Sequence, residues 1–261
     1  PFIAVTSQPV PYHADTTAIF NTLCQQNSNS LLLDSAEIGS KNSLQSLILI
    51  NAAVKITCLG NQVTFRALNA NGKQVLKEIH PMLIQLGTVS AVNFDNEFSV
   101  QFAPLDNQLD EDSKLQAATI FDGLRVISNH YQHSSTPVFL GGLFAYDLVA
   151  NFIPMQGVEL KDDGIHCPDY SFYLAENLIT IDHQSQQATL KSFCFSQEEQ
   201  VEVAKTALSI AQKLKNIDGV LSIKAASDEV STNFEDPEFT GIVKALKHHI
   251  NIGDVFQIVP S

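Results

Sequence analysis

Apolar residues along this chain fall at helical spacing in some stretches and alternate or run together in others, and the changes of period mark its elements. Ile19, Phe20, Leu23 and Cys24 share one face of a helix predicted over about 15–25, which Asp15 is placed to cap. Residues 30–35 read as a short apolar strand that ends abruptly in polar side chains. Stretches 47–50, 54–59 and 63–68 read as strands of a meander, with Gly60-Asn61 as a tight turn and Asn71-Gly72 as a second turn signal. Residues 75–86 are apolar-periodic and helical, disturbed at Pro81. A strand is expected at 98–102. The cluster Asp110-Glu111-Asp112 stands where it favours the N-terminus of a helix over 113–131, with Leu115, Ala118, Phe121, Leu124 and Ile127 at helical spacing.

The second half opens with a strand-like run at 138–149, in which Gly141-Gly142 marks a bulge or a close backbone approach. After a loop at 151–168, strands are expected at 170–174, 178–181 and 188–195, the last two as a hairpin across 183–186. Ser196-Gln197-Glu198-Glu199 reads as an S-x-x-E capping box for a helix reaching about Asn216. Residues 225–233, polar and rich in small side chains, read as a linker. Asp236-Pro237 then opens a helix with the stripe Phe239, Ile242, Val243, Leu246 and Ile250, stopped by Gly253 and followed by a strand at 255–259. That strand either pairs back onto the preceding sheet or begins a new domain. One helix and one strand close no core, so the second reading is adopted: a domain starts near residue 235 and the sequence stops inside it.

Composition narrows the function. A net charge of −13 argues against nucleic acid and anionic membranes, whose phosphates need clustered cations. Arg66 and Arg125 are the only arginines, so the chain is poorly supplied for gripping a phosphorylated or dicarboxylate substrate. No stretch approaches the roughly 18 to 20 apolar residues of a membrane span, and the first residues lack the basic flank and long apolar core of a signal peptide. A soluble, cytoplasmic protein is expected. Cys24, Cys58, Cys167 and Cys194 follow no ligand spacing and read as reduced structural thiols. His166-Cys167 is too small a pair for a metal site, and neighbours His248 and His249 point to different faces.

No nucleotide-binding, nucleophile-elbow or zinc-protease motif is present. Asp147, beside Tyr146 at a strand end, suits either catalysis or a structural hydrogen bond. The run Leu31-Leu32-Leu33-Asp34-Ser35-Ala36 is more specific. A buried strand delivering a carboxylate and a hydroxyl at its end suits an amino-acid pocket, in which Asp34 meets an α-ammonium and Ser35, with backbone N–H groups, meets an α-carboxylate. Asp-Ser is also ordinary turn chemistry.

Four stretches, at 31–47 (LLLDSAEIGSKNSLQSL), 139–149 (FLGGLFAYDLV), 167–184 (CPDYSFYLAENLITIDHQ) and 253–261 (GDVFQIVPS), together resemble the N-terminal half of anthranilate synthase component I. The resemblance implies an α+β fold of two orthogonally packed antiparallel sheets with outer helices. It implies a tryptophan-sensing regulatory domain at 1–233 and the start of a chorismate-binding catalytic domain at 234–261. It also implies that L-tryptophan binds as a feedback inhibitor at Leu33, Asp34, Ser35, Ala36 and Gln45. The family has Leu-Leu-Glu-Ser where this chain has Leu32-Leu33-Asp34-Ser35, an acid shorter by one methylene, and Gln45 replaces a basic residue. The rest of the inhibitor pocket, the catalytic histidine, the substrate-holding arginine and the magnesium ligands belong beyond Ser261. The intact enzyme would convert chorismate and ammonia, through aminodeoxyisochorismate, to anthranilate and pyruvate, with Mg²⁺ as cofactor and ammonia from a glutamine amidotransferase subunit, component II. The 261 residues alone are expected to be inactive. The alternatives are component I of aminodeoxychorismate synthase and a non-catalytic amino-acid-binding module.

Overall fold

The computed structural model describes residues 1–25, 27–34, 44–93, 96–104, 108–132, 137–153, 167–217 and 232–259. The chain divides into two compact units, Pro1–Val220 and Leu221–Ser261.

In the larger unit, strands β1 (Ala4–Val10), β2 (Leu31–Leu33), β3 (Gln45–Leu59), β4 (Gln62–Ala67), β5 (Thr88–Asn93), β6 (Glu97–Gln101), β7 (Leu140–Phe144), β8 (Tyr170–Asp182) and β9 (Gln187–Cys194) form one sheet. Its order is β1-β9-β8-β3-β4-β6-β5, with β2 attached to β3 and β7 to β8, and the pairings are antiparallel. Two sheets are implied by the resemblance. Hydrogen bonding instead joins the strands into one, because β3 and β8 are long enough to serve both halves. The first part of β3 carries β2 (Leu31↔Leu49) and the second carries β4 (Val54↔Ala67). Likewise β8 takes β7 at its start (Leu140↔Leu174) and β9 at its end (Asn177↔Ser192). Between the halves the β3–β8 register shifts from Leu49 to Val54, and such bulges bend a strand while keeping it whole. The gaps expected within 47–59 and within 170–181 are therefore irregular stretches of continuous strands.

The long strands are buried on both faces. One cluster gathers Ile56, Phe65, Phe98 and Tyr170 with Leu76 and Ile79 of α2 (Ala70–Leu83) and Ile127 of α4 (Asp122–His130). The other gathers Ile48, Ile50, Ile179, Ile181 and Leu190 with Ile19 of α1 (Thr16–Cys24) and Ile210 of α5 (Gln200–Leu214). Each such side chain contributes roughly 1.5–3 kcal/mol on burial, so helices on both faces are needed to hold the sheet.

Several local expectations are met. Asp15 caps α1, its carboxylate accepting Ala18 N–H at 2.9 Å. The turn at 183–186 joins β8 to β9 as a hairpin. Others need correction. Asn71-Gly72 is no turn but the first turn of α2, capped by Asn69. A Cβ at residue 72 would lie 1.9 Å from the carbonyl oxygen of Ala53, so glycine is what lets α2 lie against β3. The helix expected over 113–131 is two, α3 (Glu111–Gln116) and α4. Asp110 caps the first, the chain turns extended at Ala117, and Asp122 accepts Thr119 N–H at 2.6 Å before the second. β5 is missing from the sequence reading altogether. The run at 138–149 shortens to β7 and a 3-10 turn, Tyr146–Asn151, whose first turn contains the exposed Asp147. A Cβ on Gly142 would meet Ser171 O at 2.1 Å, so close approach rather than a bulge explains that glycine. The box at 196–199 does not close around a helix start either. α5 begins only at Gln200, and the Ser196 hydroxyl accepts Glu198 N–H at 3.3 Å.

The smaller unit contains α6 (Asp236–Asn251), with Pro237 in its first turn and Gly253 just past its end. None of its residues is buried, and Phe239, Ile242 and Leu246 of its apolar stripe, with Phe234 and Ile258, line a cavity of about 600 Å³. The strand expected at 255–259 does not form. It has no ladder partner among the described residues, and without one a β-branched sequence has nothing to hold it extended. Residues 225–231 of the expected linker lie outside the described residues. Among the described residues no helix is long and apolar enough to cross a membrane.

Candidate functional site

The candidate site grows from the short strand β2. Leu31 packs against one apolar cluster and Leu32 against the other, while Leu33 is 40% exposed. The ladder runs Leu32↔Ile48, Leu33↔Leu47, so the next rung brings Asp34 opposite Ser46. There the buried Ser46 hydroxyl donates to Asp34 Oδ1. The same Ser46 Oγ lies 2.8 Å from Nε2 of His183 in the β8–β9 turn. His183 Nδ1 lies 3.2 Å from the hydroxyl of Tyr12, and the two rings meet edge to face at 5.9 Å. His183 N–H donates to Leu44 O at 3.0 Å, which ties the turn to the chain just before β3. The neighbouring Asp182 accepts the N–H groups of Ser185 and Gln184. Those bonds, that of Ser185 foremost, hold its carboxyl below the usual carboxylate range.

Of the five residues expected to hold an inhibitor, Leu33, Asp34 and Gln45 are described. Ser35 and Ala36 lie outside the described residues. Gln45 opens β3 opposite Asp182 and is exposed. Strand alternation sends its side chain to the face opposite Ser46. Sequence reasoning missed Ser46, His183 and Tyr12 as members of the site. The signal available for Ser46 was the two-residue period it shares with Ile48 and Ile50. No local signal links either to residues 12 and 183.

A second carboxylate contrasts with Asp34. Glu176 stands at the irregular centre of β8 and is 7% exposed. Its Oε2 accepts from Asn69 Nδ2 at 2.9 Å and Asn71 Nδ2 at 2.8 Å. Asn71 also donates to Phe193 O at 3.0 Å and accepts Phe195 N–H at 2.6 Å. Burial pushes the Glu176 carboxyl up, and the two amides partly offset it. Elsewhere Glu78 on α2 accepts the Tyr131 hydroxyl at 3.0 Å and faces His130 Nε2 at 2.8 Å, tying α2 to α4. Burial, then Glu78, pushes the Tyr131 phenol up.

The remaining chemistry is sparse. Arg66 pairs with Glu97 and Arg125 with Asp122, all on the surface and without a shared anion. All four cysteines are free thiols, with Cys24, Cys58 and Cys194 buried and Cys167 exposed. Burial, and then the Asp169 carboxylate, pushes the Cys58 thiol up to about 12, which makes it a poor nucleophile. His249 bonds Asp254 at 2.9 Å. Among the described residues no group of three or more His, Cys, Asp or Glu could hold a metal ion.

The sequence model for chorismate binding enzymes matches residues 76–261. The chain belongs to this family. It is 86% identical over 260 residues to anthranilate synthase component 1 of Haemophilus influenzae, a match covering all of this chain and 50% of that protein. It is 41% identical over 269 residues to the component 1 of Vibrio cholerae, covering 99% and 50%, and 35% identical over 256 residues to that of Escherichia coli, covering 96% and 48%. The chain thus spans about half the length of the curated relatives it matches. A crystal structure of anthranilate synthase component I from Streptococcus pneumoniae TIGR4 superposes with a TM-score of 0.39 at 14% identity, over 93% of this chain and 45% of that one, too distant a likeness to bear weight.

Proposed function

We propose that the chain is part of an anthranilate synthase component I, a cytoplasmic lyase that makes anthranilate and pyruvate from chorismate and ammonia for tryptophan synthesis. The 86% identity to the Haemophilus protein along the whole chain carries this reading. A glutamine amidotransferase subunit, component II, supplies the ammonia. The Mg²⁺ of this chemistry and the acid–base groups are assigned to the catalytic domain. Residues 1–233 form a sensing domain, whose two sheet halves correspond to two crossed sheets, and 234–261 open the catalytic domain.

Within the sensing domain, tryptophan is the inhibitor and Asp34 its ammonium partner, with Ser35 and backbone N–H groups on the carboxylate and Leu33, Ala36 and Gln45 alongside. The support for Asp34 is its state. It is exposed, it forms no ion pair among the described residues, and one oxygen is already satisfied by Ser46. A cationic ligand would complete it. Tryptophan favours the less active form of the enzyme, so it and chorismate weaken each other's binding equally.

The full-length enzyme, incubated with chorismate and ammonia, is expected to release anthranilate and pyruvate. Aminodeoxychorismate as the product would overturn the assignment. In the same assay Asp34→Ala and Ser35→Ala are expected to relieve inhibition by tryptophan. Wild-type inhibition in both variants would remove the site from this strand end.

A further inference from the structure

The hydrogen bonds from Tyr12 to Asp34 have a direction that chemistry fixes. An ionised carboxylate only accepts, so Ser46 spends its single hydroxyl proton on Asp34 Oδ1. Its oxygen must then accept across the 2.8 Å contact to His183, which makes Nε2 the protonated nitrogen of that ring. In the neutral ring, His183 Nδ1 is then left to accept the Tyr12 hydroxyl at 3.2 Å. With His183 in that tautomer, every proton in the chain points toward the carboxylate. The four side chains come from distant parts of the sequence: the segment after β1, the β8–β9 turn, β3 and the end of β2. The histidine is fixed at its base by the bond from its own N–H to Leu44 O, 3.0 Å. Without an outside donor, Ser46 could turn its proton elsewhere and leave Asp34 to rotate.

We propose that His183, aligned by Tyr12, is a positioning residue for the amino-acid site. It pins the Ser46 hydroxyl so that Asp34 Oδ1 is occupied and Oδ2, without a partner among the described residues, is left for the ligand's ammonium. This rests on the assignment of Asp34 as ammonium partner. The relay supplies selectivity, because a preset carboxylate oxygen rewards a free α-ammonium over a neutral or acylated nitrogen. His183 does not touch the ligand. It acts only through Ser46.

The test uses the full-length enzyme with chorismate and ammonia, measuring the tryptophan inhibition constant of each variant and its thermal midpoint. His183→Leu is expected to raise that constant about tenfold, the upper end of what one lost hydrogen bond between neutral groups costs. His183→Gln, whose amide N–H reaches toward the Nε2 position, is expected to recover most of the loss. Tyr12→Phe, which keeps the ring, should raise the constant about threefold, since it removes one neutral donor. Asp34→Asn separates the proposal from its premise. If Asp34→Asn keeps wild-type inhibition, the site assignment itself fails. If Asp34→Asn loses inhibition while His183→Leu and Tyr12→Phe keep it, the relay is wrong and the assignment stands. Equal losses in His183→Leu and His183→Gln would mean that His183 merely supports the fold. Should His183→Leu fail to fold, His183→Gln and Tyr12→Phe still decide: inhibition graded in step with the donors retained supports the relay, and unchanged inhibition in Tyr12→Phe overturns it.

Discussion

Glu176 and Asp34 are both carboxylates held by neutral donors, without an ion pair among the described residues, yet their surroundings give them opposite work. Glu176 is sealed between α2 and the bulged centre of the sheet, and of the amides that meet it Asn71 is itself tied to Phe193 and Phe195 while Asn69 caps α2. Asp34 lies at an exposed strand end and receives one hydroxyl. The first arrangement is closed and holds the structure together. The second leaves an acceptor open, which is what a ligand needs. A carboxylate offers itself to a ligand only where its partners are incomplete.

The largest way to break the closed network is through the backbone that carries it. Gly72→Ala places a methyl against the Ala53 carbonyl and lifts the start of α2 with Asn69 and Asn71, so a loss of about 4 kcal/mol is expected in urea unfolding. Asn71→Ala removes the donors to Glu176 and Phe193 and the acceptor for Phe195 N–H. It strands buried groups and should cost about 3 kcal/mol. Glu176→Gln goes the other way. Burial raises the Glu176 carboxyl, so the folded state holds the proton more tightly than the unfolded chain. Stability from this group is full at low pH and falls as pH rises from the ordinary glutamate range through the raised folded value. Glutamine offers its oxygen to the same two amides without the buried charge, and should gain about 1 kcal/mol at neutral pH. That gain should vanish toward pH 4, and a gain independent of pH would mean that the charge is not its source. Asp34→Asn, at the open end of the comparison, should change unfolding by less than about 0.5 kcal/mol while relieving tryptophan inhibition. A large loss of stability there would make Asp34 a second Glu176.

What the sequence made legible was chemistry confined to a few neighbours. The Asp15 cap, the β8–β9 hairpin and the stripe of α6 depend on residues within a turn or two of one another. Asn71-Gly72 misled because the pair is good turn chemistry, and what overrides it is the carbonyl of Ala53 on another strand. The interrupted readings of β3 and β8 have the same source, since the bulges are defined only by the partner strand. Residues 255–259 carry a strand's composition and no strand's pairing. The candidate site divides along the same line. Asp34 could be read from its strand end, whereas Ser46, His183 and Tyr12 join it only through the sheet's register.

The same dependence governs how the chain is made. The spine of the sheet joins Gln45 to Asp182 and Cys58 to Tyr170, so β3 leaves the ribosome long before its main partner exists. At roughly 5–20 residues per second, on the order of ten seconds pass in between. During that time Ile48, Ile50, Val54 and Ile56, all buried in the finished sheet, have only short strands beside them. Pairings this distant in sequence are slow to close and open to aggregation meanwhile. The stretch that unites the sheet is thus open to aggregation while it waits for its partner.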